Sequence, residues 1–547
     1  MSLRIGLPTI PRRYHMSYRL TREPYVATTK ESRMIRFTRF ILAALTGCLA
    51  GCGLTSFTGV RASERPNIVV MLADDMGFGE LQCLNPTRGK IKTSQLDAIA
   101  ASGMIFTDAH SGSSVCTPTR YGLMTGRYAW RTRLQSGVLT GGESLIAVER
   151  LTVAQLLREQ GYHTAVIGKW HLGMLFDGKH VSGKVRVGST VTHGPLDRGG
   201  FDEFHGFHHA RQIRTWIDND TVTQDLEPIE MLPKLTETAV RYINGRMGVD
   251  QPFFLYIPWS SPHGPVVPSP AWEGKSGLNQ HADFMMQTDD SFGKVVQALE
   301  NNSLLENTLI ICSSDNGTSA PTSKLAQLQA KGHYPSGDLR GSKADIWDGG
   351  HRVPFIVSWP GVVEPGSRCA KLVCLTDVTR TIATILEVEL ADHVAEDSYS
   401  FLPALQGKPE HDRRDVIHHS VSGYFAIRRD NWKLSCCPAS GGWTAPKPTA
   451  ASWEKFKLAG LPMVQLNDMT LDVGEKTNLA LQQPEKVKWL RALLDEQIAR
   501  GRSTLGKPQA NDVKVVVDKQ PGQKKGSKNK TKGKNKTKDR KKKIEKK

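Results

Sequence analysis

The sequence is poor in the features that mark several classes of protein. Its nine cysteines, among 547 residues, show no zinc-type spacing, so we predict no zinc module. The apolar run FILAAL near the amino end is too short to span a bilayer as a mature helix. The apolar and charged fractions are ordinary, 39% and 23%, and predict a globular body with a sizeable core.

A basic body is also lacking, although the whole chain carries a net charge of +18. Residues 521–547 hold fourteen Lys and Arg against two acidic residues, and residues 1–51 hold nine against two. Residues 52–520 therefore carry a net charge of −1. This distribution argues against nucleic-acid binding by the folded body, so we predict no nucleic-acid partner.

The two ends of the chain are predicted to lie outside the folded body. Residues 1–52 resemble an export signal, with three arginines before FILAAL and the sequence LAGC ending at Cys52. LAGC is typical of a lipoprotein signal, so Cys52 is a candidate lipid anchor, and ordinary signal cleavage is the alternative. We predict a periplasmic or cell-envelope location. Residues 506–547 form a Lys-rich tail predicted to be disordered, either solvated or bound to polyanionic surfaces.

Four apolar runs within the body end in polar side chains. These side chains are Asp74 and Asp75 after NIVVMLA, Lys169 and His171 after HTAVIG, His263 after PFFLYIPW, and Asp315 and Asn316 after NTLIICSS. Apolar runs that alternate with amphipathic helices predict a largely parallel sheet covered on both faces. Ligands bind at the carboxyl ends of such strands, so we expect these side chains to converge on one site. Each group alone has an alternative structural interpretation, such as a turn or a helix cap.

The predicted site combines three kinds of chemistry. Asp74, Asp75, Asp315 and Asn316 offer hard oxygen ligands, which suit Ca²⁺ and, less well, Mg²⁺. Lys169, Lys343, His171 and His263 offer positive charge and N–H donors for a tetrahedral oxyanion. Cys116 is predicted at a helix N-terminus, a position that lowers the pKa of a thiol. Together these groups indicate hydrolysis of a sulfate or phosphate ester.

The stretch CTPTRYGLMTGR, which begins at Cys116, resembles the signature of the type I, formylglycine-dependent sulfatases. The resemblance is closest to arylsulfatases and N-acetylgalactosamine-6-sulfatases of the alkaline phosphatase superfamily. It includes GKWHLG, SSPHGP and SSDNG and covers about residues 66–505 in the family's order. It implies an alkaline-phosphatase-like α/β/α sandwich over residues 66–405, with a mixed, largely parallel sheet. A smaller α+β domain would occupy residues 406–505.

The resemblance also implies a role for each candidate residue. Cys116 would be oxidised to formylglycine (3-oxoalanine) by a separate formylglycine-generating enzyme, and its hydrate would attack sulfur. Calcium would be bound by Asp74, Asp75, Asp315, Asn316 and the formylglycine at position 116. Arg120 would position the formylglycine, and Asp315 would accept the proton of the attacking hydroxyl. The sulfate and its leaving oxygen would be held by Lys169, His171, His263 and Lys343. His263 would protonate the leaving alcohol, and His171 would act in the release of sulfate.

Two residues depart from the family pattern, and one histidine-rich segment lies outside it. Thr119 stands where many members have serine, and Asp348 stands where a glutamate is usual. The segment FHGFHHAR has no metal-ligand spacing, so we interpret His205, His208 and His209 as loop residues near the mouth of the cleft.

Sulfated carbohydrates are the favoured substrates, with aryl sulfates as an alternative. A phosphodiesterase or phosphonate monoester hydrolase of the same superfamily is the first competing function, because its substrates are also tetrahedral anions. A cysteine hydrolase leaves the acidic residues without a role. A non-catalytic lipoprotein that binds glycans through its Lys-rich tail is a further alternative.

Overall fold

A computed structural model describes residues 65–177 and 185–521 of the chain. The predicted export segment, with Cys52, and the last 26 residues of the Lys-rich tail lie outside these ranges. Within them, no helix is long and apolar enough to cross a membrane. All seven cysteines that the structure describes are free thiols.

Eighteen strands and twelve α-helices make up the regular structure of the described ranges. The strands are β1 (Asn67–Asp74), β2 (Met104–Phe106), β3 (Ala109–His110), β4 (His163–Lys169), β5 (Leu175–Phe176), β6 (Val191–His193), β7 (Glu203–Phe207), β8 (Thr215–Asp218), β9 (Thr221–Asp225), β10 (Phe253–Pro262), β11 (Thr308–Ser314), β12 (Phe355–Ser358), β13 (Ser367–Cys369), β14 (Val373–Cys374), β15 (Asp415–His419), β16 (Phe425–Arg429), β17 (Trp432–Ser435) and β18 (Gln465–Asp468). The helices are α1 (Ser94–Ala101), α2 (Cys116–Thr125), α3 (Val153–Glu159), α4 (Pro228–Asn244), α5 (Gln280–Asn301), α6 (Ala320–Ser323), α7 (Leu325–Ala330), α8 (Asp348–His351), α9 (Asp377–Ile385), α10 (Leu402–Leu405), α11 (Ala450–Leu458) and α12 (Pro484–Ala499).

Ten strands form the central sheet, in the order β13-β2-β12-β11-β1-β10-β4-β7-β8-β9. Strands β11, β1, β10, β4 and β7 run parallel to one another, whereas β12 pairs antiparallel with β11, β8 with β7, and β9 with β8. The four runs singled out in the sequence are thus four adjacent parallel strands. The prediction of a mixed, largely parallel sheet is confirmed.

Both faces of the sheet are buried, as a continuous apolar strand such as β1 requires. Ile68, Val70 and Leu72 pack into one core with residues of α2, α3 and α9. Val69 and Met71, which point to the opposite face, pack into a second core with residues of α1, α4 and α5. Helices therefore cover both faces, and the predicted α/β/α sandwich is confirmed.

A second sheet lies near the carboxyl end, with four antiparallel strands in the order β15-β16-β17-β18. Helix α12 packs on it through Leu490 and Leu494, which lie in one core with Ile427 and Leu434. The stretch GYFAIRRDNWKLSCC thus contains β16 and β17, and PEKVKWLRALLDEQIARG contains α12, so this part of the chain has both strands and helices.

The predicted disorder of residues 506–547 is wrong for residues 506–521. In this part of the tail, Asp512 pairs with Arg127 at 2.9 Å, and Asn511 accepts a hydrogen bond from Arg131 at 2.9 Å. Val517 lies in the core beneath the second sheet. This segment contains the apolar triplet VVV, whereas the Lys-rich low-complexity sequence begins only after it. Apolar side chains and partners for the buried arginines therefore hold it on the body.

Candidate active site

The carboxyl ends of β11, β1, β10 and β4 bring the predicted acidic and basic residues together. Asp74 is the last residue of β1, Lys169 is the last residue of β4, and Asp315 directly follows β11. The ligand atoms of Asp74, Asp75, Cys116 and His263 all lie within 4.8 Å of one another. Because these strands are parallel neighbours, residues far apart in sequence share one edge of the sheet.

Three buried oxygen atoms of the site have no hydrogen-bond partner among the described residues. They are Asp74 Oδ1, Asp75 Oδ2 and Asn316 Oδ1. A buried polar atom without a partner is costly, so such atoms in a native fold indicate a ligand or metal position. Carboxylate and amide oxygens are the ligands that Ca²⁺ and Mg²⁺ prefer, so the donor set fits a hard divalent cation.

Asp315 differs from the other three oxygen donors because both of its oxygens have partners. Its Oδ1 accepts the backbone N–H of Asp75 at 3.1 Å, and its Oδ2 accepts Arg120 Nη2 at 2.7 Å and Nε at 3.1 Å. Burial, followed by the charge of Asp74, raises the pKa of Asp315. A carboxylate of raised pKa is suited to accepting a proton.

Two lysines neutralise the acidic pair. Lys169 Nζ donates to Asp74, and Lys343 Nζ donates to Asp75. Burial alone would raise the pKa of Asp74, but the charges of Lys169, His263 and Arg120 outweigh it and hold the pKa well below the ordinary value. Burial, the largest single effect, would lower the pKa of Lys343, but the charges of Asp75, Asp74 and the other nearby acidic groups together outweigh it and raise the pKa. The site therefore holds charged lysines beside charged carboxylates, a setting that suits an anionic substrate.

Cys116 is the first residue of α2, as predicted, and its side chain is buried in the site. Its Sγ lies 3.4 Å from Lys343 Nζ. The expectation of a lowered thiol pKa is wrong, because burial raises the pKa of Cys116 to about 12 against the opposing charges of Lys169 and Lys343. An unmodified Cys116 is therefore a protonated thiol and a poor nucleophile, which also argues against the cysteine-hydrolase alternative.

The two predicted histidines each have one ring nitrogen fixed by a backbone carbonyl. His171 Nε2 donates to Leu139 O at 2.8 Å, which leaves Nδ1 buried without a partner among the described residues. Burial and the charge of Lys169 hold the pKa of His171 well below its ordinary value. His263 Nδ1 donates to Gly264 O at 2.6 Å, and its Nε2 lies 3.8 Å from Asp75 Oδ2. Both free nitrogens are available for proton transfer.

The backbone around the site adopts conformations that L-residues rarely take. Asp75, His171 and Ala344 have φ angles of 69°, 56° and 82°. At Gly317, which follows Asn316, a Cβ would lie 1.9 Å from the carbonyl oxygen of Gly349. Uncommon backbone conformations concentrate at functional sites, where the surrounding packing holds side chains in position.

The interpretation of FHGFHHAR as a loop is wrong for His205, whereas His208 and His209 do lie in the loop that follows β7. His205 lies in β7, and its Nδ1 donates to Asp218 at 2.8 Å. His208 and His209 follow β7 and are buried, and the His209 ring stacks on His171 with 5.9 Å between ring centroids. The contact follows from the parallel pairing of β7 with β4, which no local spacing in the sequence indicates.

A second buried carboxylate, Glu80, was missed by sequence reasoning. Its Oε1 accepts hydrogen bonds from His281 Nε2 at 2.9 Å and from the Thr318 hydroxyl at 2.7 Å, and its Oε2 accepts His333 Nε2 at 2.9 Å. Thr318 Oγ1 also accepts the backbone N–H of Gly77. Through these contacts Glu80 and Thr318 connect the turn after Asp75 with the turn after Asn316, and so stabilise the positions of both turns.

The two departures from the family pattern have clear environments. The hydroxyl of Thr119 lies 3.1 Å and 3.2 Å from the carbonyl oxygens of Ser113 and Val115, so it holds the turn that leads into α2. Asp348 is buried and accepts Lys433 Nζ at 2.7 Å and Arg352 Nη2 at 3.0 Å. Lys433 on β17 thereby links the second sheet to the loop that follows Lys343.

Comparison with known proteins places this fold and site among the sulfatases. Residues 66–388 match the family model described as Sulfatase. An N-acetylgalactosamine-6-O-sulfatase from Bacteroides thetaiotaomicron is 30% identical over 509 residues, which cover 83% of this chain and 96% of that protein. Human arylsulfatase A is 29% identical over 485 residues, covering 82% of this chain and 92% of that protein.

A solved structure gives the same result. A Bacteroides thetaiotaomicron structure, described in connection with the metabolism of multiple glycosaminoglycans, superposes with a TM-score of 0.70 and 28% identity. The superposition covers 79% of this chain and 99% of that chain. The similarity therefore includes the second sheet as well as the central one.

Proposed function

The chain is a member of the sulfatase family, and on that premise we propose that it releases inorganic sulfate from sulfated carbohydrates, using a formylglycine made from Cys116 and a bound Ca²⁺ ion. The observation that carries this proposal is the set of three unpartnered buried oxygens beside two buried lysines and Cys116. Such a set combines a cation position with an anion position at one point.

A carbohydrate 6-O-sulfate is the substrate class to test first. A relative named for its action on N-acetylgalactosamine 6-O-sulfate matches 83% of this chain, and the match covers 96% of that relative. Aryl sulfates are the second class, because a relative named arylsulfatase A is almost as similar.

Asp74, Asp75, Asn316 and Asp315, with the modified residue 116, would hold the cation. A bound Ca²⁺ supplies positive charge that balances the anionic ester and favours ionisation of a nearby hydroxyl. Asn316 Nδ2 donates to Asp75 at 2.7 Å, and this contact orients two of the oxygen donors. Oxygen donors of this kind favour Ca²⁺ or Mg²⁺ over zinc.

A formylglycine at position 116 supplies a hydrated aldehyde in place of the protonated thiol. Arg120 lies within 3.7 Å of Asp74 and donates to Asp315 and to the Lys169 carbonyl, so it holds three parts of the site in register. Asp315 is placed to accept a proton at its carboxylate, because burial raises its pKa.

The remaining side chains bind the anion and move protons at its two ends. Lys169 and Lys343 present positive charge to the sulfate oxygens. His263 gives a proton to the leaving alcohol from Nε2 in its doubly protonated form, which the Asp75 carboxylate 3.8 Å away favours, while its Nδ1–H stays bonded to Gly264. His171 accepts a proton at Nδ1, because its Nε2 is bonded to Leu139. The two carbonyl contacts support this choice of reacting nitrogen in each histidine.

The proposal includes a location and a maturation partner. A formylglycine-generating enzyme would have to meet the chain before or during export. The resemblance of residues 1–52 to an export signal supports export, and lipidation of Cys52 would tether the enzyme to the cell envelope.

Turnover by the purified, co-matured enzyme tests the function. We expect Ca²⁺-dependent sulfate release from a 6-sulfated N-acetylhexosamine, and none from the Cys116→Ser variant produced in the same way. A phosphodiester and a phosphonate monoester serve as competing substrates. Faster hydrolysis of either one than of every sulfate ester would contradict the proposal and support the related phosphoester hydrolases. Absence of all turnover in fully modified protein would support the glycan-binding alternative.

A further inference from the structure

A second group of potential metal ligands lies between the central sheet and the carboxyl-terminal sheet. It consists of His110 on β3, His351 at the end of α8 and His418 on β15, and we call it the histidine cluster. All three side chains are fully buried, and one nitrogen from each lies within 4.8 Å of the others. None of them belongs to the sulfatase site described above.

The outer nitrogens of His110 and His351 are both engaged by acceptors. His110 Nε2 lies 2.9 Å from Asp108 Oδ1, and His351 Nε2 lies 3.1 Å from the carbonyl oxygen of Ile346. Neither a carboxylate nor a carbonyl oxygen can donate a hydrogen, so each Nε2 carries the proton when it bonds these acceptors. Two donors compete for the same nitrogens: Arg428 Nη1 lies 3.3 Å from His110 Nε2, and Lys433 Nζ lies 3.3 Å from His351 Nε2. Metal-binding histidines are commonly oriented in this way by a carboxylate or a backbone carbonyl.

The inner nitrogens of the same two rings face each other. His110 Nδ1 and His351 Nδ1 are 3.1 Å apart. With both Nε2 atoms protonated, two lone pairs meet at this distance unless a cation lies between them. Two nitrogens bound to one tetrahedral Zn²⁺ are separated by about 3.3 Å, given Zn–N bonds of about 2.0–2.1 Å.

A second proton on His110 or His351 could in principle lie between the two Nδ1 atoms in place of a metal ion, but burial disfavours the doubly protonated ring. Burial lowers the pKa of His110 to about 4, against the opposing effect of Asp108. Burial and the charge of Lys433 hold the pKa of His351 well below its ordinary value. Both imidazoles are therefore neutral at neutral pH, which is the form that binds metal.

His418 supplies the third ligand. Neither of its ring nitrogens has a hydrogen-bond partner among the described residues, although the side chain is fully buried. Its ring lies face to face with that of His351, with 3.6 Å between centroids. Turning about its Cβ–Cγ bond toward His110 Nδ1 would break no hydrogen bond of His418. A buried imidazole with two free nitrogens needs a partner.

The charges around the cluster do not exclude a cation. Three basic residues lie nearby, and each pairs with a carboxylate. Arg352 and Arg428 pair with Asp108, and Lys433 pairs with Asp348 at 2.7 Å. Glu475 lies 2.8 Å from Lys433 and supplies a third carboxylate. Lys433 Nζ is also 3.3 Å from His351 Nε2, so an alternative hydrogen-bond chain from Lys433 through His351 to His110 competes with the metal.

We propose that His110, His351 and His418 bind a divalent transition-metal ion, with Zn²⁺ as the best match, at a site separate from the oxygen-rich catalytic centre. Three imidazoles suit zinc, whereas Ca²⁺ requires oxygen ligands, so the two sites select different ions. Full burial assigns the zinc a structural role. His110 precedes Cys116 by six positions, and the His351 carbonyl accepts the Ser111 N–H at 2.8 Å. The ion would therefore fix the loop before α2 against the second sheet.

Metal analysis of the untagged full chain tests this proposal. Protein is stripped with a chelator, loaded with Zn²⁺ in the presence of excess Ca²⁺, dialysed and analysed for zinc. The experiment is repeated in Cys116→Ala protein, which removes the only thiol of the catalytic centre. We expect one zinc per chain in both, and a zinc-dependent rise in melting temperature that Ca²⁺ does not reproduce.

His418→Phe is the diagnostic variant. Phenylalanine retains an aromatic ring against His351 and removes only nitrogens that make no hydrogen bond. We expect a metal-free melting temperature close to that of wild type, with loss of both the bound zinc and the zinc-dependent stabilisation. His411→Phe is the matched control, because His411 bonds Leu372 O at 2.7 Å outside the cluster, and it should keep the zinc.

Two outcomes would overturn the proposal. Wild-type protein that retains no zinc after dialysis would assign the cluster to the hydrogen-bond chain from Lys433. Zinc retained by His418→Phe would place the ion elsewhere. If His418→Phe fails to fold, two measurements on the wild-type protein test the proposal instead. They are the zinc content per chain and the visible spectrum of the Co²⁺-loaded protein, because nitrogen ligands and oxygen ligands give different spectra.

Discussion

Two buried carboxylate groups follow strand β1, and they are satisfied in opposite ways. At Asp74 and Asp75, one oxygen of each residue accepts a lysine and the other has no hydrogen-bond partner within the described ranges. At Glu80, only five residues further along the chain, both oxygens accept histidine N–H groups.

The difference distinguishes a group whose unpaired oxygens suit ligand binding from a group whose paired oxygens suit a structural role. Native proteins leave few buried polar groups unpaired, and those that remain concentrate where a ligand or ion binds. Both Glu80 oxygens are paired with side chains of the fold, so we expect Glu80 to contribute to stability. The Asp74 and Asp75 group keeps two oxygens without a partner, as a cation site would, so we expect its contribution to be to function. Four experiments test this contrast.

The largest expected effect is on turnover, from the substitution Asp75→Asn. Asparagine tolerates the left-handed backbone of this position, so the fold should persist. Loss of the carboxylate charge should weaken calcium binding and lower kcat/KM for sulfate release by about 10³-fold. Asp430→Asn is the matched control, because Asp430 also has a positive φ of 53° but lies on the turn between β16 and β17. Equal activities of the Asp75→Asn and Asp430→Asn variants would contradict a role for Asp75 in the active site.

The next largest effect is on stability, from the substitution Glu80→Gln. Removing a charge that pairs with two buried histidines should lower the free energy of unfolding at neutral pH by about 3 kcal/mol. Turnover per folded molecule should change much less than in Asp75→Asn. The exposed Glu389→Gln serves as control and should be close to wild type.

The Glu80 effect should also depend on pH. Burial alone would raise the pKa of Glu80, but the charge of His281 and the hydrogen bonds from His281 and His333 outweigh it and hold the pKa well below its ordinary value of 4.5. A lowered pKa stabilises the fold above the unfolded pKa, and that contribution is lost as the pH falls toward the folded pKa. The stability difference between wild type and Glu80→Gln should therefore be full above about pH 4.5 and shrink below it. A difference that stays constant in acid would contradict this account of Glu80.

Calcium removal should have a smaller effect on stability. Calcium at about 100 times its Kd should stabilise wild type by about 2.7 kcal/mol relative to chelated protein. The same increment should appear in Glu80→Gln and be absent in Asp75→Asn, measured by denaturant unfolding with and without calcium. A calcium increment in Asp75→Asn equal to that of wild type would place the ion outside the predicted oxygen set.

The smallest effect is expected from Thr119→Ser. The serine hydroxyl can keep the contacts with Ser113 and Val115, so the only loss is one buried methyl group, about 0.8 kcal/mol. Modification of Cys116 and turnover should match wild type. Thr119→Val, which has the same shape but no hydroxyl, should be less stable than Thr119→Ser. A serine variant with markedly greater modification than wild type would show that threonine impairs maturation.

Local patterns were sufficient to predict the centre of the fold and most of the site. Each of β1, β4, β10 and β11 is an apolar run that ends at a polar residue, and the parallel sheet brings those ends together. Asp74, Lys169, His263 and Asp315 were therefore predictable from position along the chain.

The properties that depend on burial or distant packing were not predictable in this way. The sequence places Cys116 at a helix N-terminus but does not show that the thiol is buried, and burial decides the direction of its pKa shift. His110, His351 and His418 have no motif spacing, because β3, α8 and β15 are far apart in the chain and meet only through tertiary packing. Glu80 meets His281 and His333 across about 200 and 250 positions of the chain for the same reason.

The most direct test of the central claim is the mass of the peptide that contains Cys116, from protein produced with a formylglycine-generating enzyme. The account predicts a loss of about 18 Da relative to the cysteine peptide, and calcium-dependent sulfate release in proportion to the modified fraction. An unmodified cysteine peptide from protein that still releases sulfate would contradict it.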